Sequence, residues 1–172
     1  MMKIYLTHGT YHYLKTKKDE FSNELIVLMQ NEDQTLLLHE TNRNCVFNEP
    51  RKYEVLDSEG RFPLKGYVVM NHVPVSEEGR PVFEYRFSKR PGLIDKEPGF
   101  IAMRILRPMN SDTYIIITVW HNKQSYQNWQ KSNAYEKTHE KRGTLEGVDH
   151  YKSFFPRPSY LKTYFITDED LS

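Results

Sequence analysis

Trp129 and His139 stand ten positions apart in a segment that reads as two short helices in tandem, broken at Ser132-Asn133. A neutral imidazole is a good iron ligand, and one protein histidine with the opposite side left open is what an oxygen-activating haem requires. The indole on the first helix and His139 on the second can face one cavity. Asn71 lies near the end of an upstream strand pattern, on the face shared by Tyr67, Val69 and Val73. An amide among apolar neighbours needs a partner, because an unpaired buried polar group costs about 1–3 kcal/mol. A ligand is one such partner, so the trio has the chemistry of a haem site with His139 as the iron ligand.

Each residue alone also has an ordinary structural reading. A single helical histidine is commonly a surface or core residue. A strand-end asparagine can face water or bond a loop. Trp129 follows Tyr126 at i+3, and two aromatics on one helical stripe are usually core. The other six histidines show no metal-ligand spacing, so a zinc site is not expected. No G-x-S-x-G, P-loop or G-x-G-x-x-G occurs. Cys45 is the single cysteine and has no local activating partner.

The elements that must position the trio are legible in outline. Ile4 to Thr10 is strand-like, and a short helix is expected around Leu14 to Phe21. Two apolar runs, Glu24 to Gln30 and Thr35 to Glu40, flank the turn cluster Asn31-Glu32-Asp33-Gln34 and predict a hairpin. Tyr53 to Asp57 reads as a strand and Ser58 to Pro63 as a linker. From there the pattern runs strand Gly66–Val73, helix Pro81–Lys89, strands Gly99–Arg107 and Thr113–His121, helices Lys123–Lys131 and Ala134–Lys141, and strand Ser159–Ile166. Phe83 and Phe87 lie at i, i+4 on the first of these helices. The strand from Thr113 is apolar on both faces and is expected to be central. The order β-α-β-β-α(α)-β is the ferredoxin-like split βαβ pattern.

Composition narrows the class without naming it. The 172 residues suit one domain with an extension, and Lys+Arg 24 against Asp+Glu 23 gives no basic excess for nucleic acid. The amino terminus has no long apolar stretch, and the longest apolar run, Tyr114 to Trp120, is too short to span a bilayer. With one cysteine, the expectation is a soluble cytoplasmic protein with no membrane partner. Twelve tyrosines and nine phenylalanines fit either a pocket for a flat ligand or an aromatic core. Asp168-Glu169-Asp170 reads as a solvated acidic tail.

Taken together, the element order, an Asn at the end of the first strand of the unit, and Trp-x9-His across consecutive helices resemble the antibiotic-biosynthesis-monooxygenase (ABM) superfamily. Within it they resemble the Isd-type haem-degrading monooxygenases, over about Lys65 to Ile166. The resemblance implies His139 as axial ligand, Asn71 as hydrogen-bond donor beside the iron, and Trp129 pressing on and ruffling the porphyrin. It also implies Phe87 and Arg90 near the haem, Arg90 pairing with a propionate. Haem would be substrate and cofactor, with O2 and an external electron donor, supplied by an unidentified reductase. The fold implied is α+β, a ferredoxin-like split βαβ of the dimeric α+β-barrel type. Residues 1–64 form a β-rich extension before the domain at 65–167 and the tail at 168–172. That length resembles a Bacillus-type branch, of the haem-degrading monooxygenase B kind, and the staphylococcal TRAP proteins. If the extension is a degenerate second half, one chain completes a pseudo-dimeric barrel and is a monomer with one haem. A TRAP-type signalling or stress protein without catalysis, and a haem-free ABM monooxygenase, are the alternatives.

Overall fold

Residues 1–88, 94–132, 154–167 and 169–170 are described in the computed structural model of the chain. Among them eight strands and three helices alternate. The first half holds β1 (Lys3–Gly9), α1 (Tyr11–Glu20), β2 (Ile26–Gln30), β3 (Thr35–Thr41) and β4 (Arg51–Glu59). The second holds β5 (Gly66–Pro74), α2 (Arg80–Ser88), β6 (Phe100–Pro108), β7 (Thr113–Trp120), α3 (Lys123–Gln130) and β8 (Tyr160–Ile166), with a 3-10 turn at Ile94–Lys96. None of the described helices is long and apolar enough to cross a membrane.

Every strand is hydrogen-bonded to two antiparallel neighbours in the closed order β1-β3-β2-β8-β5-β7-β6-β4. Read from β4, the order is β4-β1-β3-β2 followed by β8-β5-β7-β6. Each run is the 4-1-3-2 sheet of a ferredoxin-like unit, and the two meet at the β2–β8 and β4–β6 seams. The expected pseudo-dimeric barrel is therefore built by one chain. Register makes the halves superimposable on paper. Leu6 faces Leu38 and Arg51, as Met70 faces Ile117 and Lys162. Thr7 thus corresponds to Asn71, and His8 to His72.

Local chemistry fixes the elements. Asn31 Oδ1 accepts from the amides of Asp33 and Gln34 at 2.9 and 2.8 Å, an Asx turn that closes the β2–β3 hairpin. Thr10 Oγ1 accepts from Tyr13 N at 3.2 Å, so α1 starts at Tyr11, earlier than the Leu14 expected. Asn122 caps α3 in the same way through Ser125 N at 2.9 Å. β4 runs on to Glu59 through residues expected to be linker, because a register shift between Val55 and Asp57 lets this polar stretch keep its pairing with β6. Gly60 ends it at φ +69, where a Cβ would lie 2.0 Å from the carbonyl oxygen of Ile101.

Period-2 alternation sends one set of apolar side chains inward: Leu6, Met29, Leu38, Met70, Leu106 and Ile117, among others, form the sealed core of the barrel. The opposite faces carry the helices. Outside the first half, α1 and the loop 42–50 cover Tyr5, Leu28 and Leu37, with Phe47 packed among them. Outside the second half, α2 and α3 cover β5 and β7.

Candidate functional site

The outer face of β5 and β7 is an apolar platform with an amide near its middle. Tyr67, Val69 and Val73 share a face as expected, and it is the outer one; Asn71 is paired in register with Ile116 on β7 and Leu161 on β8. To one side of Asn71, Tyr67, Val69, Trp120 and Tyr126 form a buried cluster; to the other, Val73, Val75, Phe83 and Tyr114 form a second. Asn71 and Ile116 between them are only half-buried. Among the described residues the Asn71 amide has no hydrogen-bond partner. A sheet that seals its apolar neighbours yet leaves a half-covered, unengaged amide is a surface shaped for a polar atom of a ligand.

α3 brings Trp129 to the first cluster. Its rings lie 5.5 Å from Trp120 and 6.0 Å from Tyr126, centroid to centroid, and it stays half-buried. The ordinary reading of the Tyr126–Trp129 stripe therefore holds for Tyr126, which is core, while Trp129 is an anchored ring at the edge of the cover. α2 brings Phe87 to the second cluster, edge-on to Phe83 at 4.9 Å. So Asn71, Trp129 and Phe87 are carried on the same outer side of the same half-barrel. His139 and Arg90 lie outside the described residues.

A polar network that holds α2 in place was not foreseen. Arg107 Nε donates to Glu84 Oε2 at 3.0 Å and its Nη1 to Glu54 Oε1 at 3.4 Å. The Tyr114 hydroxyl also donates to Glu84, and Arg80 Nε donates to the Tyr114 oxygen at 3.1 Å. The Arg107 hydrogen bond holds the Glu84 carboxyl below the usual carboxylate range, with a smaller contribution from Tyr114. Burial, and then Glu84, pushes the Tyr114 phenol up. No local spacing announces this set, since its members come from β4, α2, β6 and β7.

The corresponding face of the first half is closed. Thr7 stands where Asn71 stands in the second, and His39 is fully buried there against Tyr5 and Phe47, with Nε2 3.1 Å from Glu24. Cys45 is half-buried, its thiol pushed up by burial while its Sγ accepts from Phe47 N. This is the environment of a structural, unreactive thiol. Among the described residues no group of three or more His, Cys, Asp or Glu is arranged to hold a metal ion.

A closed α+β barrel of two ferredoxin-like halves built from one chain defines the class, and comparison with known proteins agrees. Residues 66–141 match the antibiotic biosynthesis monooxygenase family. A heme-degrading monooxygenase of Listeria monocytogenes is 28% identical over 162 residues, covering 90% of this chain and 97% of the relative. A signal transduction protein TRAP of Staphylococcus epidermidis is 24% identical over 169 residues, covering 98% and 99%. The structure of a staphylococcal regulator of pathogenesis has the same fold, with a TM-score of 0.82 at 21% identity, covering 98% of this chain and 100% of that one. The stretch 66–141 is thus similar to the antibiotic biosynthesis monooxygenase family.

Proposed function

We propose that this protein is a haem-degrading monooxygenase that opens the porphyrin ring oxidatively and releases iron. The observation that carries the reading is the half-buried Asn71 amide, without a hydrogen-bond partner among the described residues, on the apolar outer face that also receives Trp129 and Phe87. The full-length similarity to a heme-degrading monooxygenase supports it. The donor set fits the group: an imidazole from His139 for iron, an apolar surface for a flat macrocycle, and Arg90 for a propionate. Residues 65–167 carry the activity in this reading, and residues 1–64 close the barrel.

Bound haem supplies the redox chemistry, as the molecule that takes up O2 and electrons from an external reductase and is itself oxidised. His139 would supply the imidazole nitrogen that holds the iron. Trp129, packed against Trp120 and Tyr126, would present its ring to the macrocycle and constrain its shape. Asn71 would donate its amide N–H to an oxygen atom held beside the sheet and orient it. Phe83 and Phe87 keep water from that space.

The test is spectroscopic. One equivalent of hemin should give a Soret shift, and ascorbate with O2 should then bleach it. His139→Ala should lose tight binding, and an unchanged Soret band in that variant removes the ligand assignment. Trp129→Ala should bind and turn over slowly; full activity removes its steric role. The TRAP relatives, which match the chain along almost its whole length, favour a second reading: a signalling or stress protein without catalysis. A third is a haem-free monooxygenase. No Soret shift would favour either of these, and binding without bleaching would point to a haem carrier.

A further inference from the structure

The inner face of the barrel is apolar along its length and charged at both mouths, but only one mouth balances its own charge. There Arg104 donates from Nε to Glu40 Oε2 at 2.6 Å and from Nη2 to Oε1 at 3.2 Å. Its Nη1 donates to the carbonyls of Glu59 and Met103 at 2.9 and 2.8 Å, and the Phe62 ring lies 4.9 Å from the guanidinium carbon. The cation at that mouth is fully engaged.

The opposite mouth is built twice over by the pseudo-symmetry. Tyr53 faces Ile4 and Arg51 faces Leu6, as Tyr164 faces Val68 and Lys162 faces Met70. Strand alternation turns His8 and His72 inward as well. Each half thus contributes one histidine, one cation and one tyrosine to the same opening. Arg51 and Lys162 both depress both histidines, beside the larger effect of burial, so the two cations are within electrostatic range of one space.

Nothing in the described chain answers this charge. Neither Arg51 nor Lys162 has an ion-pair partner among the described residues, and no carboxylate among them faces inward at this mouth. The rim acids Glu32 and Asp33 are exposed on their turn, and Asp112 is taken by Arg157 at 2.7 Å. Tyr164 donates to Gln34 at 2.9 Å. The Tyr53 hydroxyl, on a side chain only 3% exposed, has no hydrogen-bond partner among the described residues. Two half-buried cations and a phenol hydroxyl without a partner among the described residues, all on one opening, suit an anion.

We propose that this mouth binds a small oxyanion, a phosphate or carboxylate group of a free metabolite, between Arg51 and Lys162 with Tyr53 as hydrogen-bond donor. The site is separate from the outer face of β5 and stands whether or not haem binds there. The full-length, haem-free protein is heated with increasing inorganic phosphate, and in a second series with succinate, at ionic strength held constant with chloride. A saturable rise in midpoint of about 5 °C is expected for at least one anion. A response to phosphate alone assigns a phosphate ester, and a response to succinate alone a carboxylate. The Arg51→Gln, Lys162→Gln double variant should lose the rise. If that variant does not fold, Lys162→Gln alone is titrated while the His72 ring resonances are followed by NMR. The variant should then need at least tenfold more anion than wild type to move them. No saturable response to either anion, or the same response in the variants, overturns the proposal.

Discussion

Lowering the pH from 7.5 to 5 should cost the barrel about 2 kcal/mol through His72 alone. His72 is 3% exposed, and burial pushes its imidazole down to about 4, the loss only partly offset by the contact of its Nδ1 with Met70 O at 3.2 Å. Its surroundings add no compensating acid: Arg51 and Lys162 oppose protonation, and the Tyr160 ring stacks on it at 4.7 Å. In the unfolded chain the same imidazole titrates near 6.5. Between these values the unfolded state holds more protons, so stability is fully present above 6.5 and falls as the pH drops towards 4. At about 1.4 kcal/mol per unit, the loss is about 2 kcal/mol at pH 5 and about 3 kcal/mol at pH 4. The assay is urea unfolding at 25 °C followed by tryptophan fluorescence at pH 7.5, 6, 5 and 4.5. His8 is depressed as well and acts in the same direction, so His72→Phe, which keeps a ring for Tyr160, isolates the contribution. The variant should lose at least half of the pH dependence between 7.5 and 5. A variant as acid-sensitive as the wild type refutes the reasoning.

Four other outcomes follow from the contacts. Glu84→Gln removes the main partner of Arg107 and Tyr114 and should destabilise by about 1–3 kcal/mol at neutral pH. Because the folded Glu84 carboxyl is held low, that deficit should shrink as the pH falls through its folded value, which acid titration of both proteins measures. Gly60→Ala should cost more than about 2 kcal/mol in the same urea assay, since its φ of +69 is strained for alanine and the new Cβ would meet the Ile101 carbonyl. Glu40→Leu strands a cation with 5% exposure and should cost about 3–5 kcal/mol, whereas Glu40→Leu with Arg104→Met should recover most of that in a double-mutant cycle. Asn71→Ala should keep the hemin Soret shift but slow bleaching at least tenfold, and wild-type bleaching in the variant would count against its role in the proposed reaction.

Most of the second half could be read from its residues because each element carries a local signal. The alternation of Gly66–Val73 correctly placed Tyr67, Val69 and Val73 on one face, and the doubly apolar run from Thr113 became β7, which lies between β5 and β6. The first half was harder. Its equivalence to the second is a matter of register, carried by pairs such as Leu6 with Met70 and His8 with His72, too few and too dissimilar to register as a repeat. Its second helix is replaced by the loop 42–50, so the element count that revealed the split βαβ pattern downstream is one short upstream. In the candidate site, Asn71 and Trp129 stood out by residue type. The Glu84–Arg107–Tyr114 network did not, because hydrogen bonds between distant strands leave no spacing to find. The polar mouth escaped for the same reason: its six residues come from four strands of both halves.

Among the described residues the Arg104–Glu40 ion pair is not repeated by the pseudo-symmetry. Register sets Val27 where Arg104 would recur and Val119 where Glu40 would recur. In a barrel of two identical chains every substitution is made twice, so a residue good for one outer face must be tolerated on the other. Joining the halves in one chain removes that constraint. One face can fill its surface with Phe47 and a buried histidine while the other keeps an amide half-covered, and each can be selected without the other's consent.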